Sequence, residues 1–511
     1  MRTRTNESGQ ILLLAALAVP ILIGFVGLAI DVGNIQVTRR QAQAAADAPA
    51  MAGAQEILLE SGGSAGSPCN PNAGTPVAIN NAGQDSATQN GFRNGVGGVV
   101  VNVNCPPSLG PNSSSNNAVE VIVTKSQSTF FMGLLGAPTT NIGARAVGIL
   151  GQSSVCIQVT GPVGEGIDID GGFILNAPTC SILINSVNTK DNGNGDQSIT
   201  THGGDCKGGG GDPYQPPTSG TSQVVSNWIG TAAAYYAQGV CTTPQPTFGV
   251  QPQPDLLGYL PQPSSSDYAK CGRWPGPGVD KITTSTTLNP GSYCGGIWIT
   301  SGATVTLNPG TYYLYGGNTM IDGRHSLEVD GGATLTDFGK GVTIFNTGLH
   351  SPYGVNNPSS SYWASIELCT TTGPNPKCAA EATVSLTAPT TGTYAGILFF
   401  DARALADGTP PCGGTDSVHE TCAKNQTYMQ SFLGGTNQTF AGTFYFPTTL
   451  LWFSGGPGKT MGNCSPFIGW ILLWNIPGPF QSDGSGGGLT VNANCGSLTG
   501  GNPLKTAALG E

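Results

Sequence analysis

Charged side chains are scarce in this sequence. Lysine and arginine together number 19, aspartate and glutamate 29, and charged residues make up 9% of the 511 residues. Typical soluble domains carry about 25% charged residues. The formal net charge is −10, and no cluster of basic residues is interleaved with aromatic ones. The sequence therefore predicts no nucleic-acid partner.

The signatures of common catalytic and cofactor sites are also missing. Neither a Walker A segment nor a Rossmann fingerprint occurs. The four histidines are scattered, and none has a partner at metal-ligand spacing. We therefore predict no catalytic residue, no cofactor and no metal site. The histidines are His202, His325, His350 and His419.

Two acidic segments come closest to the pattern of a catalytic or calcium-binding site. Asp168 and Asp170 would project from one face of a strand, and a pair of carboxylates is what a glycosidase needs. Two glycines follow them, however, and acidic residues in a turn are the commoner explanation. The segment DNGNGD at 191–196 lacks the glycine and the glutamate that an EF-hand calcium loop requires.

Cysteine does not occur before Cys69, and no CxxC motif occurs anywhere, which argues against a zinc ribbon or a thioredoxin-like centre. The even count of 14 predicts disulfides in an oxidising compartment. Scattered buried thiols are the alternative. The first candidate pairs are those that close short loops, Cys369 with Cys378 and Cys412 with Cys422.

The sequence contains one long apolar run near its N-terminus. Residues 11–30, ILLLAALAVPILIGFVGLAI, contain no charged or strongly polar side chain. A helix of that length spans about 30 Å, the hydrocarbon thickness of a bilayer. Membrane helices tolerate proline, so Pro20 is compatible with this interpretation. We predict an uncleaved transmembrane helix; a cleaved signal peptide and a buried core helix are the alternatives.

The flanks of the run predict its orientation. Arg2 and Arg4 precede it, whereas Asp31 follows it and the first basic residues beyond, Arg39 and Arg40, come later. Basic residues near a span tend to remain cytoplasmic. The sequence therefore predicts a cytoplasmic segment at 1–10 and export of everything after the span.

Residues 31–60 are rich in alanine and predict a helix from about Ile35, continuing the span outward with a kink at Pro49. Their small residues would admit the close approach of another helix, or they are simply good helix formers. Both interpretations remain open. The small residues are Ala42, Ala45, Ala46, Ala50 and Gly53.

Seven positions of the N-terminal part form an ordered pattern before, within and after the apolar run. They are Gly9, Gln10, Pro20, Gly27, Asp31, Gly33 and Asp47. In this pattern the N-terminal residues resemble TadG-like proteins of the tight-adherence (Flp) pilus-assembly machinery of bacteria. The resemblance implies a bacterial inner-membrane protein with a single span, a periplasmic or extracellular bulk, and pilus-machinery proteins as partners. Pro49 departs from the alanine usual in the family.

Residues 61–150 predict a small α+β module, which the resemblance implies is pseudopilin-like; a generic α+β module is the alternative. The predicted elements are a helix at 77–92, strands at 99–103, 119–124 and 141–150, and an apolar patch at 129–136.

Beyond residue 150 the sequence predicts an all-β region. The segment LNPGSY at 288–293 recurs as LNPGTY at 307–312, and short β runs ending on Gly, Asn or Asp continue around it. A period near twenty residues is typical of a parallel β-helix, expected here to be right-handed. A β-sandwich is the alternative. The predicted parts are first β rungs at 151–206, a Gly/Pro-rich flexible linker at 207–265 with a short helix at 222–238, a β-helix-like region at 266–500 and a tail at 501–511.

Two functional hypotheses follow. The first is a non-enzymatic, single-span envelope protein that acts in Flp pilus assembly or surface attachment, with the lipid bilayer, the pilus machinery and a carbohydrate or other surface ligand as candidate partners. The second is a membrane-anchored β-helix enzyme acting on carbohydrate. Processing like that of a prepilin is not expected, because the position five residues after Gly9 is Leu14 rather than glutamate.

Overall fold

The chain forms two compact units in the computed structural model. Unit 1 comprises Met1–Gly151 and Lys505–Glu511, and unit 2 comprises Gln152–Leu504. Unit 2 is therefore an insertion into the chain of unit 1. The structure describes residues 8–60, 69, 74–113, 115–169, 172–189, 197–201, 222–235, 240–263, 280–293, 296–314, 325–346, 365–368, 382–403, 429–432, 438–454, 460–475, 488–492, 495 and 503–510.

Unit 1 is an α+β module with a long N-terminal helix. The helix Val77–Gln89 and the strands Val99–Asn104, Ala118–Ser128 and Thr139–Gln152 agree in type and approximate position with those predicted between residues 77 and 150. The elements of unit 1 are helices α1 (Ser8–Glu60), α2 (Val77–Gln89) and α3 (Phe131–Leu134), strands β1 (Val99–Asn104), β2 (Ala118–Ser128) and β3 (Thr139–Gln152), and the last strand of the chain, β28 (Lys505–Leu509).

The four strands of unit 1 form one sheet in the order β1-β2-β3-β28. β2 pairs antiparallel with β1 and with β3, and the β2–β3 hairpin closes at the pair Ser128 and Thr139. The predicted tail at 501–511 is wrong for residues 505–509. They add a strand to the edge that β3 would otherwise leave unpaired, and just beyond them the Gly510 amide donates to the Val147 carbonyl at 2.7 Å.

Helix α1 joins the predicted span and the predicted alanine-rich helix into one element. It continues through Pro20 and Pro49. Beyond residue 30 one face is buried at every third or fourth position, which is the spacing of a helix face that packs on a sheet. The fully buried residues of this face are Ala42, Ala45, Ala46, Ala50, Ala54 and Ile57.

The small residues of α1 let the sheet of unit 1 come very close. A Cβ on Gly148 of β3 would lie 2.0 Å from the Ala50 carbonyl oxygen, and one on Gly53 would lie 2.8 Å from Val119 of β2. The alanines belong to the same buried cluster as the valines of β1 and β2. In unit 1 these small residues therefore face the sheet of the same unit.

Unit 2 consists of short strands. They are β4 (Val155–Val159), β5 (Ile167–Ile169), β6 (Ile174–Ile184), β7 (Ile199–Thr201), β8 (Gln223–Thr231), β9 (Thr242–Thr243), β10 (Asp280–Ile282), β11 (Thr286–Leu288), β12 (Gly291–Tyr293), β13 (Ile297–Ile299), β14 (Thr304–Leu307), β15 (Gly310–Leu314), β16 (His325–Val329), β17 (Thr334–Thr336), β18 (Val342–Asn346), β19 (Ser365–Leu368), β20 (Thr383–Thr387), β21 (Ile397–Asp401), β22 (Met429–Phe432), β23 (Gln438–Ala441), β24 (Thr443–Ser454), β25 (Thr460–Met461), β26 (Phe467–Asn475) and β27 (Gly488–Thr490).

These strands pair in parallel. From β10 to β21 a strand pairs with the strand three further along the chain, as in β10 with β13, β11 with β14 and β12 with β15. The pattern continues through β13 with β16, β14 with β17 and β15 with β18. The described strands of unit 2 thus form an 18-stranded and a 6-stranded sheet. The large β-rich region that the sequence predicts is confirmed, with parallel sheets.

The LNPG repeat brings equivalent side chains into contact. Asn308 donates through its amide to the Asn289 side-chain oxygen at 2.8 Å, and the rings of Tyr293 and Tyr312 stack with centroids 5.8 Å apart. Gly310 has a φ of +136°, and a Cβ there would lie 2.4 Å from the Pro290 ring. The repeat therefore requires glycine after proline, and it stacks asparagine on asparagine and tyrosine on tyrosine.

The interior of unit 2 is a continuous apolar core. Aliphatic residues dominate one part, and aromatic rings in edge-on and tilted contacts fill another, as Phe399 does with Phe432 at a centroid distance of 4.9 Å. Because such rings bury large areas, they stabilise the parallel stack. The other rings of this cluster are Phe440, Phe444, Phe446, Phe453 and Phe467.

The order of the strands in the large sheet differs from their order in the chain. The sheet begins with β10, runs to β27, continues with β4 and ends with β9. β26 pairs in parallel with both β4 and β5, for example Phe467 with Ile157 and Leu472 with Ile167. The chain therefore enters unit 2 in the middle of the stack, and the segment after β9 must lead to the opposite end.

That segment includes residues 253–262, here called the strap. The sequence predicts a flexible or polyproline-like loop, but the structure shows a strap hydrogen-bonded along its length. The Gln253 amide donates to the Asn185 side chain at 2.9 Å, and the Leu256 amide to the Gln158 side chain at 3.0 Å. The guanidinium of Arg403 donates to the carbonyls of Leu257 and Leu260, each at 2.7 Å.

The short helix predicted at 222–238 is wrong. Residues 223–231 form β8, which pairs in parallel with β6. Val224 and Ser226 are buried on alternate positions, the spacing of a strand. The β-branched pair Val224-Val225 and the aromatic Trp228 favour that strand once an unpaired edge of β6 is available.

Candidate membrane anchor and the hairpin clamp

The first part of α1 exposes apolar side chains to its surroundings. The segment Leu14–Ile57 is long and apolar enough to cross a membrane by length and composition, with a mean hydropathy of 2.3 over its best window. Exposed apolar side chains this dense on one helix are a candidate membrane anchor. Those more than half exposed between residues 14 and 32 are Leu14, Leu17, Val19, Ile21, Leu22, Ile23, Phe25, Val26, Ile30 and Val32.

Asp31, the first charged residue after the apolar run, binds the tip of the β2–β3 hairpin. Its carboxylate accepts hydrogen bonds from the amides of Phe130 at 3.0 Å, Phe131 at 2.7 Å and Met132 at 2.7 Å. The side chain is 3% exposed. These amides, that of Phe130 most of all, hold the pKa of Asp31 below its ordinary value despite the opposing effect of burial.

Gly27 lies one turn before Asp31 on the same face of α1. A Cβ at Gly27 would lie 2.2 Å from the ring of Phe131, so only glycine lets that ring reach the helix. Gly27 and Asp31 together therefore form a clamp for the hairpin tip. Gly33, the other glycine of the family pattern, has no atom within 4 Å of a Cβ built on it.

The remaining positions of the family pattern lie elsewhere on α1. Pro20 is exposed within the apolar part. Gly9 and Gln10 belong to the first turn, where the side chains are outside the described part of the chain. Asp47 accepts a hydrogen bond from the Gln43 side chain at 2.7 Å, and Gln43 also donates to the Arg145 carbonyl at 3.2 Å.

A buried carboxylate in unit 1 was not predicted from the sequence. Glu120 on β2 accepts hydrogen bonds from the Asn104 side chain at 2.7 Å, the Ser108 amide at 3.0 Å and the Arg145 guanidinium at 2.6 Å. Burial raises the pKa of Glu120, but the donors on Ser108, Asn104 and Arg145 outweigh it and lower the pKa to about 2. Only its place in VEVIV, a charge within an apolar strand, signals this role.

A second polar cluster fixes the strap of unit 2 and was also not predicted. The Tyr445 hydroxyl donates to Asp255, and the Arg403 guanidinium lies 4.0 Å from the same carboxylate oxygen. Burial raises the pKa of Asp255, although Tyr445, Leu257 and Arg403 oppose it. This arrangement holds one chain segment against the sheets.

The acidic segments and histidines singled out in the sequence are described only in part. Asp168 lies on β5, partly buried, whereas Asp170 and residues 191–196 lie outside the described residues. His325 begins β16, and His202, His350 and His419 also lie outside. Among the described residues no three His, Cys, Asp or Glu side chains are grouped as metal ligands would be.

Three disulfides occur among the described residues. They pair Cys69 with Cys105, Cys156 with Cys180, and Cys464 with Cys495. The prediction that cysteines form disulfides is thereby confirmed for these six. The predicted pairs Cys369 with Cys378 and Cys412 with Cys422 lie outside the described residues.

Unit 1 thus defines a class of protein, a small α+β module built on a helix whose first part is a candidate membrane anchor. Residues 9–56 match the family of Flp pilus-assembly TadE/G-like proteins, and residues 38–147 match the Tad-like Flp pilus-assembly family. The resemblance to TadG-like proteins is confirmed over this part of the chain, and it supports involvement in pilus assembly. No curated protein and no solved structure matches the chain.

Proposed function

We propose that this protein is a non-enzymatic, single-span component of the bacterial envelope that acts in Flp pilus assembly or surface attachment. The exposed apolar part of α1 carries the proposal. Ten large apolar side chains between residues 14 and 32 are more than half exposed there, and in water such a surface would be costly. A bilayer removes that cost, and the family matches begin in the same helix.

In this proposal α1 crosses the inner membrane once, with residues 1–10 in the cytoplasm and both units on the far side. The basic residues Arg2 and Arg4 ahead of the run, and the absence of any before Arg39 beyond it, favour this orientation. The disulfides favour it too, because such bonds persist in an oxidising compartment.

Unit 2 would be a right-handed parallel β-helix that presents a rigid surface. The pairing of a strand with the strand three further along supports a coil of three strands per turn. Ile297 on β13, Leu307 on β14 and Tyr312 on β15 come from three consecutive strands, and all three line one small interior cavity. A β-sandwich would need antiparallel neighbours, which the paired strands described for unit 2 do not provide. A carbohydrate or another surface ligand, and the pilus machinery, are the partners we propose.

Protease accessibility in spheroplasts tests the orientation. With an epitope tag before Met1, added protease should digest everything beyond about residue 40 and leave a tagged fragment of the span and its flank. In lysed spheroplasts the tag should be lost as well. Protection of both units in intact spheroplasts, or recovery of the chain from the soluble cytosolic fraction with free thiols, would contradict the proposal.

A further inference from the structure

The tip of the β2–β3 hairpin, residues 129–138, is an exposed apolar surface. Phe130 is 75% exposed, Leu134 79% and Leu135 76%. No charged residue occurs between Lys125 and Arg145. Three neighbouring large apolar side chains at such exposure mark an interaction surface rather than a solvated turn.

The tip has a defined conformation. The Thr129 amide donates to the Pro138 carbonyl at 3.0 Å, and the Ala137 amide donates to the Met132 carbonyl at 3.0 Å. Asp31 accepts the three amides that begin α3. These amides would otherwise need water, so the tip can enter an environment poor in water without leaving them unpaired.

The clamp fixes the level of the tip along α1. The hairpin tip contacts Gly27, in the last turn of the apolar run at 11–30, and Asp31, just after that turn. At the other end of β3, Gly148 contacts Ala50 of α1, about 29 Å further along the helix axis. β3 therefore runs alongside α1, and the hairpin tip lies at the end of unit 1 nearest the apolar run.

We propose that this tip inserts into the outer-leaflet interface of the membrane and forms a second, shallow lipid contact beside the span. This inference rests on the proposed function, because it needs α1 in a bilayer. The tip contacts α1 at Gly27, within the last turn of the run, and apolar side chains at this level enter the boundary of headgroups and acyl chains by about 5–10 Å. Two contacts would fix the tilt and rotation of unit 1 on the membrane.

Tryptophan scanning in nanodiscs tests the proposal on the full chain. All seven native tryptophans lie in unit 2, between Trp228 and Trp474, so an added tryptophan is measured as a difference from the parent. In Leu134→Trp we expect a blue-shifted added emission, and lipids brominated near the headgroup should quench roughly half of it. Leu135→Trp is a second variant with the same expectation.

Two further variants make the outcomes distinguishable. Leu109→Trp is the matched control, because Leu109 is 64% exposed but lies far from the tip. The Leu109 carbonyl accepts a hydrogen bond from the Arg145 guanidinium, and the Arg145 carbonyl accepts one from Gln43. Gln43 lies about 18 Å beyond Asp31 along α1. Leu109→Trp should be quenched by aqueous iodide and not by bromolipid. Leu17→Trp lies within the run, about 21 Å before Asp31 along α1, and should be quenched by lipids brominated along their acyl chains.

The inference is overturned if Leu17→Trp is quenched by lipids brominated along their acyl chains while Leu134→Trp and Leu135→Trp are not quenched by lipids brominated near the headgroup; the tip would then face water or a protein partner. If Leu17→Trp is unquenched as well, the run is not in the bilayer and the proposed function fails too.

Discussion

At the scale of single residues, the two polar anchors of unit 1 use a carboxylate in different ways. Asp31 joins a helix to a hairpin tip through three backbone amides. Glu120 instead gathers side chains of β1, the following loop and β3 around a fully buried carboxylate. A buried charge is stable only when several donors surround it. Both carboxylates therefore favour one conformation of the groups that donate to them.

Glu120 predicts an acid-sensitive unit 1. Its pKa is about 2 in the folded state against an ordinary 4.5, so its contribution to stability is present above pH 4.5 and lost as the pH falls towards 2. We expect a loss of about 1–3 kcal/mol across that window, because the buried group must be protonated and its donors released.

Scanning calorimetry at a series of pH values measures this effect. The transition of unit 1 should fall in temperature from pH 5 to pH 2 in the parent and be lower but flatter in Glu120→Gln. Asp85→Asn, at an exposed position of α2, is the control and should behave like the parent. A parent-like slope in Glu120→Gln would show that other groups cause the acid sensitivity.

At the scale of elements, α1 has two parts with opposite surfaces on one continuous helix. Its first part exposes large apolar side chains, and its second part buries alanines against the sheet. The second part needs residues as small as alanine, because Gly148 of β3 contacts the helix backbone at Ala50. A larger residue at either position would separate helix and sheet.

The close approach makes Gly148 intolerant of any side chain. We expect Gly148→Ala to destabilise unit 1 by about 1–3 kcal/mol, since its Cβ would meet the Ala50 carbonyl and neither backbone can yield without loss of packing. Gly143→Ala on the same strand is the matched control, because its Cβ would be 3.8 Å from Thr124 in ordinary contact.

Urea unfolding, monitored through hydrogen exchange of the β2 and β3 amides, would measure the free energy of unfolding of unit 1 in both variants. Equal stability of Gly148→Ala and Gly143→Ala would mean that helix and sheet are not as close as described.

At the scale of the whole chain, unit 2 is inserted between β3 and β28, so the last residues of the sequence complete the first unit. Such long-range pairing delays completion of the sheet until β28 has been synthesised. We expect deletion of residues 505–511 to increase exchange of the β3 amides roughly tenfold or more, because β3 becomes an exposed edge.

The tryptophan emission of unit 2 serves as the control for this deletion, since all seven tryptophans lie within that unit. The unfolding midpoint of unit 2, followed by this emission, should not change. A β3 that stays protected in the deleted chain, or a unit 2 that unfolds earlier, would contradict the assignment of β28 to the sheet of unit 1.

The sequence by itself determined what local pattern can determine: the apolar run, the helix and three strands of unit 1 between residues 77 and 152, the repeat that sets Leu288 opposite Leu307, and the family resemblance. Hydropathy and spacing carry these because each depends on near neighbours. The clamp could be suspected only in part, since Gly27 and Asp31 belong to the family pattern but their partner lies about 100 residues away.

Only the tertiary structure decided the rest. Residues 223–231 became a strand because β6 offered a parallel edge, the predicted tail became β28, and the predicted linker became a strap held by Arg403. In each case a backbone or a guanidinium distant in sequence supplied the hydrogen bonds. Such partners leave no periodicity in the segment itself, and tertiary pairing outweighs local propensity where the two compete.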